Sequence, residues 1–474
     1  MKQLYKNISF TSLHQIIVTA LAFVLVPVAT RYLGVDDYGL YAVATTIGFF
    51  VNLIADPGLS TILTREIAKH PKIVSKLFAR VLSLKLVLIV VAVCILIIYL
   101  FIAQYSAKST RVILVFSIAA LLGSFSSTAF GVFRGIEKMQ YEAIGVSLDK
   151  FLSVSIGITL LLLGFGVEYF IWSFVVSGLV LFVFSFRILY KKFLAFELNW
   201  HWRQSLTVLR ISIYLGISAF LSMAYNYLDI LMLSKMGTLQ DIGLYSAAYR
   251  ILMVTRIFPT ILVTAFLPQL SSNHANTKVL SAFFREGVSY LLLIIVPLIP
   301  AAVYLAKPIM LFICGQDYAA GAAALQILAF AIAAQTLNIF FVPLYVATNN
   351  QNKIVHFQVF GLLVNVVLNL LLIPPLSFIG AAIATVATEG IIFLFIFIWI
   401  RRKLGVPLFP QLFYSLKVTF NAVAMMVVVF FTHAVHLHIL VVIILAILCY
   451  FLALEITNTF RLRHFTRMMH AESV

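Results

Sequence analysis

Long apolar runs, separated by short polar or Gly/Pro segments, fill this chain from one end to the other. A helix that crosses a bilayer needs about 20 mostly apolar residues. Fourteen runs reach that length, near 8–33, 37–64, 77–103, 110–133, 140–166, 168–190, 206–235, 240–268, 280–305, 318–348, 352–376, 378–401, 411–432 and 437–459. Short turns at Gly164-Phe165-Gly166 and at Pro374-Pro375 divide the runs at 140–190 and 352–401. The longest connecting segments lie near 65–80, 187–206 and 269–280, and none is large enough for a separate water-soluble domain. The pattern predicts an all-α polytopic membrane protein with about 14 transmembrane helices. The first run exceeds the apolar stretch of a signal peptide and shows no clear small-residue cleavage site, so it is expected to remain as a membrane helix.

A short motif repeats. Asp37-Tyr38-Gly39-Leu40-Tyr41 returns as Asp241-Ile242-Gly243-Leu244-Tyr245, each copy following a Gly-containing turn (Gly34, Gly237) and opening the second helix of a half. Six predicted helices separate the copies, which gives both halves the same orientation. The expectation is two six-helix lobes in parallel repeat, related by an axis along the membrane normal. Their bounds are 1–205 and 206–403, with a C-terminal helix pair and basic tail over 404–474.

Composition and charge sharpen this picture. Hydrophobic residues make up 63% of the chain and charged residues 10%, against roughly 25% charged in soluble domains. Lipid is therefore the solvent of most of the surface. The net charge of +17 would suit nucleic acid, but the cations fall in alternate short loops, the positive-inside pattern. One set of loops holds Arg65, Lys69, Lys72, Lys76, Arg80, Arg134, Lys138, Arg187, Lys191, Lys192, Arg203, Lys278, Arg285 and Arg401-Arg402-Lys403. Both termini belong to that set, through Lys2, Lys6, Arg461, Arg463 and Arg467. The opposite set holds little beyond Arg31, Lys108, Arg111, Lys235 and Lys307. Both termini are thus expected on the cytoplasmic side, with no nucleic-acid partner. Cys94, Cys314 and Cys449 lie far apart and form neither a metal spacing nor a disulfide framework. His433, His436 and His438 crowd one outer turn without Cys or carboxylate, and no metal is expected there. No P-loop, HExxH or GxSxG pattern occurs, so neither cofactor nor covalent chemistry is indicated.

Charges inside membrane helices cost about 2.5–3.5 kcal/mol each on insertion scales, and they persist where they meet a partner or a wet cavity. Arg250 lies near mid-membrane by residue count. It either pairs with a carboxylate such as Asp229 or Asp56, or presents a guanidinium fork to an anion. Arg256 follows on a different helical face unless Pro259 distorts the helix. Arg31 is either an interfacial cation or an anion contact, and Lys150 follows Asp149 in the inner part of the fifth helix. Asp56-Pro57-Gly58 reads as a helix break lined by an acid, either a hinge or an ion site. Glu389 is either a proton or sodium site or a hydrogen-bonded acid, and Glu455 is interfacial. Tyr225-Asn226-Tyr227, with Asp229 beyond, offers aromatic and amide groups to line a sugar path or to bond between helices.

Several of these segments resemble one family. Ala29-Thr30-Arg31-Tyr32-Leu33-Gly34 running into Val35-Asp36-Asp37-Tyr38-Gly39-Leu40-Tyr41 resembles the first helix-turn of Wzx-type polysaccharide (O-antigen) flippases. Those proteins form a branch of the multidrug/oligosaccharidyl-lipid/polysaccharide (MATE-like) exporter superfamily. Asp56-Pro57-Gly58-Leu59-Ser60 with Arg65-Glu66-Ile67-Ala68 resembles their second helix, with Pro57 standing where they usually carry an apolar residue. Gly243-Leu244-Tyr245-Ser246-Ala247-Ala248-Tyr249-Arg250 resembles the start of their eighth. The resemblance implies two lobes around a central cavity in the bacterial plasma (inner) membrane. It implies transfer of undecaprenyl-pyrophosphate-linked oligosaccharide units for lipopolysaccharide, with a polysaccharide polymerase and chain-length machinery as partners. Arg250, then Arg31, Lys150 and Arg256, become the expected head-group contacts. Asp56, Asp229, Asp149 and Glu389 become the charge-balancing or ion-coupling acids. The alternatives are a cation-coupled multidrug antiporter of the same superfamily, a flippase for the lipid-linked peptidoglycan precursor, and a membrane polymerase or ligase. Polymerases and ligases typically carry a large outer loop, and none is present here.

Overall fold

The computed structural model describes residues 2–70, 73–193, 202–256, 259–260, 263, 277–347, 350–404, 409–435 and 437–459. Thirteen α-helices account for nearly all of them. In chain order they are α1 (Lys2–Ala55), α2 (Leu59–Lys69), α3 (Val74–Ala103), α4 (Ala107–Gly135), α5 (Gln140–Leu162), α6 (Val167–Lys192) and α7 (Trp202–Met236). These are followed by α8 (Leu239–Met253), α9 (Thr277–Cys314), α10 (Ala322–Ala347), α11 (Gln351–Leu404), α12 (Phe409–Ala434) and α13 (Ile439–Ile456). Among the described residues, eleven helices are long and apolar enough to cross a membrane. Two of them, α1 and α11, are each two spans joined across one non-helical residue, Gly34 (φ 73°) and Ser377 (φ 51°). The fold is that of an all-α polytopic membrane protein, and large apolar side chains such as Phe101, Phe420 and Ile456 point outward from it.

Several boundaries differ from the sequence expectation. The span expected at 37–64 stops at Ala55, and residues 59–69 form the separate short helix α2. Pro57 lacks an amide donor, and Gly58 takes φ +86°, a left-handed conformation that suits glycine. The turn expected at Pro374-Pro375 occurs at Ser377 instead. Each proline removes one donor from the helical ladder, and the weakened last turn runs on two residues before the chain reverses. Gly380 then lies directly on the backbone of Leu372 and Ile373, where no side chain would fit. Lys307, expected in an outer loop, lies within α9, which runs through Pro297, Pro300 and Pro308 to Cys314. The span expected at 240–268 is helical to Met253, tightens to a 3-10 turn over Val254–Arg256 and is helical again at 259–260 and 263. Most of its remainder, like His436, lies outside the described residues.

Contacts divide the chain into two units, 1–247 and 248–474. In the first, α4 packs on α6, α1 and α2, while α7 lies along α1, α2 and α3. Its inner core joins Leu59, Leu63 and Ile67 of α2 to Phe78 and Val81 of α3, Phe130 and Phe133 of α4, and Leu181 and Leu189 of α6. In the second, α9 carries both α10 and α12, and α10 packs closely on α11. Leu293 and Leu305 of α9, Met425 and Val429 of α12, and Val442 and Tyr450 of α13 form one of its cores.

The two motif copies meet inside the first unit. A Cβ on Gly39 would strike the carbonyl of Leu239, and a Cβ on Gly243 would strike the carbonyl of Val35. Leu239 stands four residues before Gly243, and Val35 four before Gly39. The contact is reciprocal, as it is between elements related by a two-fold axis, and the missing side chains let the backbones touch. Gly243→Ala should therefore push the crossing apart and lower stability by about 1–3 kcal/mol, the usual cost of overpacking. Gly390, with open space around its Cα, is the control. Gly390→Ala should leave the melting temperature in detergent unchanged or higher, because alanine narrows the unfolded ensemble. Equal behaviour of the two variants would contradict the close crossing.

Candidate functional site

The break between α1 and α2 builds a polar site in the first unit. Phe49, Asn52 and Asp56 fall at helical spacing, so one face of α1 carries all three. The Asp56 amide still donates to the Asn52 carbonyl, at 2.9 Å, before the chain leaves the helix. The Asp56 carboxylate then turns back over α2, where Oδ1 accepts from the Ser60 amide at 3.1 Å and satisfies one of the helix's open N–H groups. Gly131 makes room for this on α4, since a Cβ there would meet the Ser60 carbonyl at 2.7 Å. Thr64 ties the two helices by donating to the Gly131 carbonyl at 3.0 Å.

Behind Asp56 sits Lys85 of α3, whose side chain has no exposed surface. Its ammonium donates to Asp56 Oδ2 at 2.9 Å, to Thr128 Oγ1 at 2.5 Å and to the Ser124 carbonyl. Asp56 Oδ2 also accepts from the Ser127 hydroxyl at 3.0 Å and from that of Ser60. All three ammonium protons find oxygens, and both carboxylate oxygens find donors. This is the condition under which a buried ion pair is sustainable.

Asp56 forms part of the wall of a cavity of about 540 Å³. Asn52, Ser60, Ser127 and Arg134 line it from the α1–α2–α4 side, and Ser222, Asn226 and Tyr227 from α7. Tyr227 packs against Phe49 with ring centroids 5.4 Å apart, and the Asn226 amide donates to the Ser222 carbonyl at 2.6 Å. Arg134 is paired with Glu142 at 3.0 Å. Among the residues singled out in the sequence, the structure thus brings Asp56, Asn226 and Tyr227 to one cavity.

The others stand elsewhere. Tyr225 is half-buried on α7 and is not among the cavity-lining residues. Asp229 is buried and accepts from the Tyr245 hydroxyl at 2.6 Å, which links α7 to the second motif copy. Asp149 and Lys150 are half-buried on α5. Arg31 is exposed on α1, one turn before the Gly34 kink. Arg250 is half-buried in the last turn of α8.

The second unit holds its own polar cluster. Arg256 donates through Nε to Gln335 Oε1 at 3.1 Å, and its Nη2 group donates to the same oxygen. Gln335 Nε2 in turn donates to Glu389 Oε1 at 2.6 Å, and Asn338 Nδ2 to Glu389 Oε2 at 2.9 Å. Glu389 is 2% exposed, and a neutral amide stands between it and the guanidinium. Of the outer-turn histidines, His433 packs edge-on against Tyr304 and His438 against Phe312. His438 also accepts from the Leu440 amide at the start of α13.

Lys85, Gln335 and Asn338 were not singled out in the sequence. Lys85 carried a signal, a cation flanked by Leu84 and Leu86 inside an apolar run. The two amides carried none beyond their polarity.

Comparison with known proteins agrees with this architecture. The family profile "Polysaccharide biosynthesis protein" matches residues 4–274. The probable low-salt glycan biosynthesis flippase Agl15 of Haloferax volcanii is 22% identical over 163 residues, only 34% of either chain. The capsular polysaccharide biosynthesis protein CapF of Staphylococcus aureus is 19% identical over 406 residues, covering 84% of this chain and 99% of that one. Among solved structures, the lipid II flippase MurJ in an inward closed conformation matches with a TM-score of 0.78 and 17% identity, over 95% of this chain and 98% of that one. An inward-facing multidrug resistance MATE family transporter of the MOP superfamily matches with a TM-score of 0.65 and 16% identity, over 84% and 98%. At such identities the solved structures speak to fold. The profile match covers more than half of the chain, and by it this membrane protein belongs to the polysaccharide biosynthesis protein family.

Proposed function

We propose that the protein is a flippase for lipid-linked saccharides. Its substrate in this reading is an undecaprenyl-pyrophosphate-linked oligosaccharide, in its narrowest form an O-antigen repeat unit of the Wzx type. It carries the substrate to the outer leaflet of the bacterial plasma membrane without ATP. The observation that supports this most is a cavity with amide, hydroxyl and charged side chains in its wall, inside a lipid-embedded helical unit of a polysaccharide biosynthesis family member. A pyrophosphate or sugar head group dragged through hydrocarbon loses all its hydrogen bonds, at several kcal/mol per group. A cavity with hydroxyl and amide groups in its wall lowers that barrier for the sugar while the polyprenyl tail stays in lipid.

In this reading the lobes 1–205 and 206–403 alternate in access around the path, and 404–474 is an appended pair. The cation-rich loops and both termini face the cytoplasm. Arg250 is the first head-group contact, supported by Arg31, Lys150 and Arg256. Asp56, Asp229, Asp149 and Glu389 balance these charges or couple an ion. A polymerase and chain-length machinery receive the product. The multidrug-antiporter reading wants an acid open to a cationic guest. Asp56 in the cavity wall already holds the Lys85 ammonium at 2.9 Å, which weighs for the saccharide.

The test is transfer in sealed inside-out vesicles. Labelled undecaprenyl-pyrophosphate oligosaccharide is added to the outer face, and its arrival in the lumen is followed. Protein-dependent transfer is expected. Arg250→Ala should reduce it at least tenfold, and Arg250→Lys should retain part of it, since lysine keeps the charge but loses the fork. Absence of transfer by folded wild-type protein, across several sugars and imposed ion gradients, would move the assignment to the antiporter.

A further inference from the structure

We infer that the cavity beside Asp56 is a subsite for an uncharged, hydroxyl- and amide-bearing sugar ring, and that Asn52 and Tyr227 recognise it. The inference rests on the flippase reading above and assigns part of the substrate to one place.

The charge of the cavity wall is the first argument. Each charged side chain that lines it already has a counter-charge in the same unit. Asp56 is bound to Lys85 at 2.9 Å, and Arg134 to Glu142 at 3.0 Å. A pyrophosphate entering here would meet cations already neutralised, and an organic cation would meet an acid already neutralised. Displacing Lys85 from Asp56 would leave a charge buried and unpaired, which is costly, and Arg134 would have to give up Glu142. An uncharged guest avoids that cost.

Shape and polarity give the second argument. Phe49 and Tyr227 form an aromatic corner with their ring planes at 55°. A sugar ring offers C–H groups to such a surface, and hydroxyl or acetamido groups at its edge for amides and hydroxyls to meet. Serine and asparagine side chains supply that polar edge, and the volume lies in the range of small-molecule sites, about 300–1,000 Å³.

The third argument is an unmet hydrogen bond. Asn52 lies one turn before Asp56 on the same face of α1, and its Oδ1 has no donor among the described residues. Buried polar atoms of this kind are rare in folded proteins. An amide that turns toward the cavity can accept from a sugar hydroxyl or an acetamido N–H, and the guest would supply the missing donor.

The experiment uses the full chain in nanodiscs and three probes: undecaprenyl pyrophosphate alone, the same lipid bearing N-acetylglucosamine, and the same lipid bearing glucuronic acid. Wild type should bind the N-acetylglucosamine lipid about tenfold more tightly than the bare lipid, the range of one or two good hydrogen bonds. The glucuronic acid lipid should gain nothing over the bare lipid. Asn52→Leu and Tyr227→Leu should each erase the gain without changing affinity for the bare lipid, and Tyr227→Phe should keep it. Asn52→Leu should also melt no lower than wild type, because it removes an unpaired polar atom. A purely structural asparagine would instead lower the melting temperature and leave the sugar gain intact, and that result would overturn the inference. So would equal wild-type binding of all three lipids, although the flippase reading would survive it. Failure of wild type to bind any of the three would overturn both.

Discussion

Lys85→Met is expected to be the most damaging single substitution in the first unit. The ammonium it removes is fully buried and is the counter-charge of Asp56, itself only 9% exposed at the side chain. Without it the carboxylate keeps its serine donors but stands as an uncompensated charge among membrane helices. Breaking a buried pair from one side costs about 3–5 kcal/mol. Asp56→Asn alone should cost a similar amount, by stranding the ammonium between Thr128 and the Ser124 carbonyl. The double variant Lys85→Met with Asp56→Asn should recover most of the loss, since replacing both members of a buried pair is often near neutral. Asparagine also leaves an acceptor for the Ser60 amide that begins α2. Unfolding free energies of the four proteins in mixed micelles give the double-mutant cycle. Additive losses would mean that the pair is not a unit.

The two singles would also disturb the helix break between α1 and α2. Asp56 directly follows α1, accepts from the Ser60 amide in the first turn of α2 and lies in the wall of the cavity. Any disturbance of its charge reaches the helix break directly. Loss of fold and loss of transport are therefore expected together in the singles and should separate in the double variant. There the Ser60 amide keeps an acceptor but the acid is gone, so residual transport reports whether Asp56 acts by charge.

Much of this arrangement was legible in the sequence, for identifiable reasons. Hydropathy locates membrane spans because lipid demands a run of fixed length. Gly34, Gly164 and Asp56-Pro57-Gly58 announce their turns because proline and glycine act on the backbone wherever they stand. The same logic overreached at Pro374-Pro375, where the prolines weaken the helix and Ser377 makes the turn. The side of α1 that lines the cavity was half legible. Asp56 stood out as a charge, but Phe49 and Asn52 are ordinary residues of a membrane helix until α7 is placed opposite them. Lys85 stands five residues after Arg80, near the end of α3 that carries the cations. A lysine there ordinarily snorkels to the interface, and only the distant Asp56 makes it a buried partner. Pairings of this kind depend on which helices pack together, which periodicity within a single helix does not encode.

Glu389→Leu should be the corresponding disruption in the second unit. The carboxylate accepts from Gln335 and Asn338, both on α10. Removing it deprives the buried Gln335 amide and the half-buried Asn338 amide of an acceptor, at about 1–3 kcal/mol for the buried one. It also removes the negative end of a chain that starts at Arg256 and passes through the Gln335 amide. A neutral amide in that position does more than fill space. Its carbonyl faces the guanidinium and its N–H₂ faces the carboxylate, so its dipole is aligned with the charges at either end and favours both. Arg256 and Glu389 should accordingly be coupled although they are held by different elements, a 3-10 turn and α11. Glu389→Leu combined with Arg256→Met should cost less than the sum of the two singles, by about 0.5–3 kcal/mol. The same cycle repeated in a Gln335→Leu background tests the relay. The coupling should shrink there, because the aligned dipole is gone while both end groups remain. Coupling that persists undiminished would mean that the two charges sense each other directly and that Gln335 is only packing between them.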